Sequence, residues 1–189
     1  MKFDAHGWLS GVQRIPSPNF DARPAHVPID MLVIHSISLP PDQFGGPGVQ
    51  QLFTNTLNCS THPYYEQLRG LRVSSHFLIR RDGALQQFVP CGRRAWHAGL
   101  SRWQGRERCN DFSIGIELEG CDSLPFTEVQ YVALTRLSRR LLRHYPIRHV
   151  VGHADIAPGR KTDPGPHFDW PRYFASLPPM PRNGGRRDI

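Results

Sequence analysis

The sequence predicts a mixed α/β domain, and three observations carry the prediction. Short apolar runs of strand length recur between residues 29 and 152. One longer segment, from Thr127 to about His144, has helical periodicity and a start signal. The chain has 189 residues, of which 39% are hydrophobic and 21% charged, enough for one soluble domain with its own core. Residues 1–177 are taken as that domain, with the core spanning about 28–174. The Pro-, Gly- and Arg-rich stretch 178–189 has the composition of a disordered tail.

Residues 1–28 hold four prolines and little periodicity, and are expected to form an irregular lead-in draped over the domain. Ile29 to Ile34 is a nearly continuous apolar run that suits a strand buried on both faces, with His35 at its exit. Segment 36–74 contains Pro40-Pro41, Gly45-Gly46-Pro47-Gly48 and a short helix candidate from Val49 to Asn55. A connection of this length in a compact domain is usually functional, and its aromatic residues suit a groove wall. Ser75–Arg80 and Leu85–Val89 flank Asp82-Gly83, a hairpin signal. Phe112 to Glu119 alternates, with Ile114, Ile116 and Leu118 on one side and Ser113, Gly115, Glu117 and Glu119 on the other.

Thr127 and Gln130 fit a capping box, and Phe126 with Tyr131 fits a hydrophobic staple. Val129, Val132, Ala133, Leu137 and Leu141 are the expected apolar stripe of the helix that follows, with Arg136, Arg139, Arg140 and Arg143 on its solvated side. Ile147 to Gly152 is a further strand candidate delivering His153, and a last helical turn or two spans about Asp169–Ser176. Between them, Gly152 to Pro166 is punctuated by prolines and glycines and reads as a rigid loop, neither helix nor strand.

The formal net charge of +7 suits an anionic partner. The arginine pairs are dispersed along the chain, however, so no nucleic-acid stripe is expected. The N-terminus has no apolar signal region and no window approaches a membrane span. The four cysteines contain no C-x-x-C pair and read as free thiols. A cytoplasmic protein without membrane contact or obligate protein partner is the expectation.

The chemistry concentrates in the Gly152–Pro166 loop. His35 and His153 each follow an apolar run and precede a small residue, and Asp163 lies on the Pro-braced loop ten residues after His153. Two histidines and an aspartate would hold a zinc ion with one position open. Spacing alone leaves open that Asp163 only caps a turn before Pro164-Gly165. Lys161 and Asp163 point the same way if the loop is extended there, which would set a cation beside the metal, fit to stabilise an oxyanion. Glu117 on its strand could take a proton from water, or could be an ordinary exposed strand glutamate.

The ordered blocks Val33-Ile34-His35, Ser75 to Ile79, Arg94-Ala95-Trp96-His97-Ala98-Gly99, Asn110 to Gly120, Gly152-His153 and Lys161 to Gly165 resemble the amidase-2 family of zinc N-acetylmuramoyl-L-alanine amidases. That family shares its fold with phage T7 lysozyme and peptidoglycan-recognition proteins. Gly105 to Asp111 and Phe44-Gly45-Gly46-Pro47 resemble its AmpD branch, cytoplasmic 1,6-anhydro-N-acetylmuramyl-L-alanine amidases of cell-wall recycling.

The resemblance implies a central mixed β-sheet flanked by helices, with a zinc groove at one end. It implies His35, His153 and Asp163 as zinc ligands, Glu117 as the acidic catalytic residue and Lys161 as the transition-state stabiliser. Arg72 and Arg108 match substrate-contacting arginines, and Trp96 and His97 a block lining the groove. His76 reads as structural, and Ser36 departs from the asparagine associated with the branch. The implied substrate is an anhydro-muropeptide, and loss of such an enzyme would affect β-lactamase induction through accumulated muropeptides. The rival readings are an amidase or endolysin acting on intact peptidoglycan, and a peptidoglycan-binding module without turnover.

Overall fold

In chain order the computed structural model contains β1 (Gln13–Arg14), β2 (Phe20–Ala22), β3 (Met31–Ile37), α1 (Gly48–Phe53), α2 (Pro63–Glu66), β4 (Phe77–Ile79), β5 (Leu85–Gln87), β6 (Arg93–Ala95), β7 (Arg102–Trp103), β8 (Arg106–Glu107), β9 (Ser113–Glu119), α3 (Glu128–His144), β10 (His149–Gly152), α4 (His153–Ile156) and α5 (Trp170–Ser176). It describes residues 2–179. Most of the tail expected to be disordered, from residue 180 onward, lies outside the described residues.

Six strands form one mixed sheet in the order β1-β5-β4-β9-β3-β10. The hairpin β4–β5 is antiparallel, with Gly83 in the left-handed region at φ 82°. Strands β4, β9, β3 and β10 run parallel to one another. Parallel strands must be covered on both faces, and every residue of β9 is buried, as are the first five of β3. On one face Leu32, Ile34, Ile114, Ile116 and Leu118 meet Leu134, Leu137 and Leu141 of α3 and Tyr173 of α5. On the other, Met31, Val33 and Val151 pack with Ala98, Cys109, Phe112 and Ile156.

The start of α3 follows its sequence signal. Gln130 N–H donates to Thr127 Oγ1 at 3.3 Å, Thr127 N–H donates to Gln130 Oε1 at 3.0 Å, and the Phe126 and Tyr131 rings lie 6.5 Å apart. Its buried stripe, however, is Gln130, Tyr131, Leu134, Leu137, Ser138 and Leu141. Val129 and Val132 are 49% and 53% exposed, contrary to the expected stripe. The helix is turned so that the Gln130 amide can donate to the carbonyls of Ile79 and Glu119, which a valine could not satisfy.

Two further expectations are corrected. The lead-in is not irregular throughout: β1 extends the sheet beside β5, and β2 pairs antiparallel with β6. The Gly152–Pro166 stretch is not loop throughout, because α4 makes one helical turn before the first proline, Pro158. Asp155 braces that turn, its Oδ2 accepting from Gly152 N–H at 2.7 Å. All four cysteines are free, as expected.

Candidate active site

Parallel strands deliver side chains to one edge of a sheet, at their C-terminal ends. Register decides which ones meet. Ile34 pairs with Gly152 across β3 and β10, and His35 pairs with Glu117 across β3 and β9. His153 follows Gly152 directly as the first residue of α4. The loop after α4 then returns, and Ala154 N–H donates to Asp163 C=O at 2.9 Å. Asp122 clamps the same loop by accepting from Thr162 Oγ1 at 2.6 Å.

His35, His153 and Asp163 consequently form a compact group. His35 Nδ1 lies 3.0 Å from His153 Nδ1 and 3.1 Å from Asp163 Oδ2, and His153 Nδ1 lies 3.1 Å from the same oxygen. A tetrahedral ion with bonds of about 2.0–2.1 Å has ligand–ligand edges of about 3.3 Å, so shifts of a few tenths of an ångström admit it. The protonation states also suit a cation. Burial lowers the His35 pKa to about 4, which keeps its imidazole neutral. Burial works to raise the Asp163 pKa, but hydrogen bonds with His153 and His35 outweigh it and hold the carboxyl well below its usual range. His153 Nε2 lies 3.1 Å from the Ala98 carbonyl, which can only accept, so Nε2 can donate there while Nδ1 faces His35 and Asp163.

Glu117 is 7% exposed, not the exposed strand glutamate that alternation allows. Its Oε1 stands 4.0 Å from His35 Nδ1, and its Oε2 is buried without a hydrogen-bond partner. Burial raises its pKa well above the carboxylate range, and the Asp163 charge adds to the rise while Lys161 opposes it. Lys161 is exposed and, with Glu117, lines an open cleft of about 470 Å³. The cleft is further lined by Leu39, Tyr64, Leu68 and Leu71, a mostly apolar wall from the long 36–74 segment, and by Trp96, just after β6.

The family model for N-acetylmuramoyl-L-alanine amidase matches residues 25–166. The chain belongs to the N-acetylmuramoyl-L-alanine amidase family. Among relatives of this amidase, the Escherichia coli K12 protein named 1,6-anhydro-N-acetylmuramyl-L-alanine amidase AmpD is 56% identical over 169 residues, 88% of this chain and 92% of that one. A crystal structure of a Se-Met AmpD derivative is 53% identical and superposes with a TM-score of 0.91, over 94% of this chain and 100% of that one. A complex of E. coli AmiD with the substrate anhydro-N-acetylmuramic acid-L-Ala-D-gamma-Glu-L-Lys is 34% identical with a TM-score of 0.60, over 80% of this chain and 59% of that one.

The remaining expected site residues of this amidase divide. Trp96 lines the cleft and, second to Arg94, helps hold the Asp21 carboxyl below its usual range. Arg72 is exposed and not part of the cleft lining, but its neighbour residues Leu71 and Val73 are. Arg108 has a 69% exposed side chain, stands 3.4 Å from Asp111, and adopts φ 59°, an uncommon region for a non-glycine residue. His97 lines the cleft but is buried, with His35 Nε2 2.9 Å from its Nδ1 and Ser113 Oγ 3.1 Å from its Nε2. Both its ring nitrogens are already engaged within the protein. His76 is buried, with Nδ1 accepting from Gly115 N–H at 3.0 Å, in keeping with a structural histidine. Sequence reasoning missed Asn110, Ser113, Asp122 and Arg160, which hold the surrounding loops through long-range hydrogen bonds. Each is an ordinary polar residue, and no local spacing signals it.

Proposed function

We propose that the chain is a zinc-dependent amidase that hydrolyses the amide between the lactyl group of 1,6-anhydro-N-acetylmuramic acid and L-alanine in muropeptides, in peptidoglycan recycling. The observation that carries the proposal is one cleft. The His35–His153–Asp163 triangle, the buried Glu117 carboxylate and the Lys161 cation line it together, in a chain of this family. The name of the E. coli AmpD relative and the substrate seen with AmiD give the bond and the sugar.

His35 Nδ1, His153 Nδ1 and Asp163 Oδ2 would hold the zinc, since two neutral imidazoles and a carboxylate are a known catalytic donor set that leaves a position open. When bound, zinc polarises the scissile carbonyl and lowers the pKa of the attacking water towards about 7. Glu117 takes the proton from that water. A carboxyl whose charged form is disfavoured by burial holds the proton well and then returns it to the leaving amine. Lys161 sets its ammonium beside the developing oxyanion. Arg72, next in sequence to the cleft-lining Leu71 and Val73, and Arg108 would suit the stem-peptide carboxylates, and Trp96 offers an apolar face to the sugar or peptide. No helix among the described residues is long and apolar enough to cross a membrane, and four free thiols suit a reducing compartment. The cytoplasm is the compartment this reading assigns.

The test is hydrolysis of anhydro-muramoyl-tripeptide followed by mass spectrometry, with and without a chelator, beside intact sacculi. Anhydro-muramic acid and free tripeptide are expected from the soluble substrate, lost on chelation and restored by zinc. Full turnover in a metal-free preparation overturns the zinc mechanism. Preferential release from sacculi favours a wall-cleaving amidase instead.

A further inference from the structure

The two histidines of the metal group each have a second ring nitrogen, and both of these face one short segment. His35 Nε2 lies 2.9 Å from His97 Nδ1, and His153 Nε2 lies 3.1 Å from Ala98 C=O. Two side chains 118 residues apart are therefore met from behind by two consecutive residues. We propose that the Trp96–Gly99 segment is a template for the metal centre, in which the His97 imidazole and the Ala98 carbonyl accept the Nε2 protons of His35 and His153 and turn both Nδ1 atoms towards the ion. His97 is then a positioning residue and not a substrate contact. The inference rests on the zinc reading above and extends it beyond the three ligands.

The proton assignment closes along the chain of contacts. A ligating His35 Nδ1 must be bare, so its Nε2 carries hydrogen and donates to His97 Nδ1. His97 then carries its own hydrogen on Nε2 and donates it to Ser113 Oγ, 3.1 Å away. The segment is also held from outside. Asn110 Oδ1 accepts from both His97 N–H at 3.2 Å and Ala98 N–H at 2.8 Å. Trp96 N–H donates to Ser74 Oγ at 3.1 Å. Arg160 Nη2 donates to Ala98 C=O at 2.8 Å and Leu100 C=O at 2.6 Å. Beneath the imidazole, β9 carries Gly115, where a Cβ would stand 2.5 Å from His97 Cγ. Only glycine lets the ring lie that close to the strand.

Outer-shell partners of metal-bound histidines fix tautomer and orientation, and losing one typically costs 10–100-fold in metal affinity. The test is the zinc dissociation constant of the full chain, by competition with a chromophoric chelator, for the native protein, His97→Phe and His97→Asn. Phenylalanine keeps the ring volume and removes the acceptor. Asparagine loses volume but sets Oδ1 where Nδ1 stood. The expected result is zinc binding weakened about 10–100-fold in His97→Phe and largely recovered in His97→Asn. A packing role predicts the reverse order. Zinc held by His97→Phe within about two-fold of the native protein, or no more tightly by His97→Asn than by His97→Phe, overturns the proposal. Native protein that takes up no zinc refutes the zinc reading itself, and the template with it. Should His97→Phe not fold, Asn110→Ala loosens the segment without touching an imidazole. A fall in its zinc affinity supports the template, and unchanged affinity overturns it.

Discussion

Replacing Glu117 by glutamine separates its chemistry from its shape. Glutamine has the same size and keeps an acceptor, but cannot take the proton of the attacking water. Glu117 Oε1 lies 4.0 Å from His35 Nδ1 with Oε2 unpartnered, so little else in the site depends on the carboxylate. A positioned general base contributes about 10²–10⁴-fold. At about 1.36 kcal/mol per tenfold, Glu117→Gln should lower kcat by a factor equivalent to about 2.7–5.4 kcal/mol. The loss should fall on kcat and kcat/KM alike, because the interaction is made in the transition state. Metal-free stability supplies an independent readout with a defined sign. The folded-state pKa of Glu117 is raised above the unfolded value of about 4.5, so the folded chain binds more protons between the two. Native stability relative to Glu117→Gln should therefore fall as pH rises from 4.5 through the folded pKa, and level off above it. Steady-state hydrolysis of anhydro-muramoyl-tripeptide and denaturant unfolding at several pH values measure the two effects. A kcat within about tenfold of native would refute the base assignment, and a pH-independent stability difference would refute the burial argument.

Two further outcomes follow from the packing. Leu134→Ala should cost about 2–5 kcal/mol, whereas Val132→Ala should stay within about 0.5 kcal/mol, because Leu134 is fully buried and Val132 faces outward; equal shifts in thermal unfolding would contradict the observed rotation of α3. Burial pushes the Cys91 thiol up to about 12 although Arg23 opposes the shift, so alkylation at pH 8 with peptide mapping should modify half-buried Cys59 in the native protein and Cys91 only after denaturation.

What was legible in the sequence is what local rules control. The Thr127–Gln130 capping box, the Asp82-Gly83 hairpin and the alternation of β9 are short-range patterns, and each is present. What was not legible depends on contacts far along the chain. Val129 and Val132 look like core in a helical wheel, but α3 turns to bury Gln130 because the Ile79 and Glu119 carbonyls await its amide. Glu117 reads as solvent-facing by alternation, yet it is buried and lines the cleft, on β9 between Leu78 of β4 and His35 of β3. The metal group joins residues 118 and 128 positions apart; the strand-end places of His35 and His153 and the Pro-braced loop suggested the set, left Asp163 open as a turn cap, and the family resemblance narrowed it. His97 marks the limit of resemblance, since belonging to a groove-lining block does not say whether a side chain faces the groove or the residues behind it.

The chemistry of the cleft is held in register by the core. Leu32 pairs with Ile114 and Ile34 with Ile116, and all four side chains lie in the cluster shared with α3. His35 opposes Glu117 one position further along the same ladder, on the other face. A slip of one residue between β3 and β9 would turn His35 into the α3 core and expel Leu32 and Ile34 from it. Burying each of those side chains contributes about 1.5–3 kcal/mol, so the slip is opposed by several kcal/mol before any metal binds. The separation of metal group and base is thus set by apolar residues whose side chains lie on the opposite face of the sheet. Substitutions that shrink Ile34 or Ile116 should accordingly lower stability well before they disturb zinc affinity, whereas substitutions in the 96–99 segment should do the opposite. Comparing the two classes by unfolding and by zinc competition separates what holds the sheet from what aims the ligands.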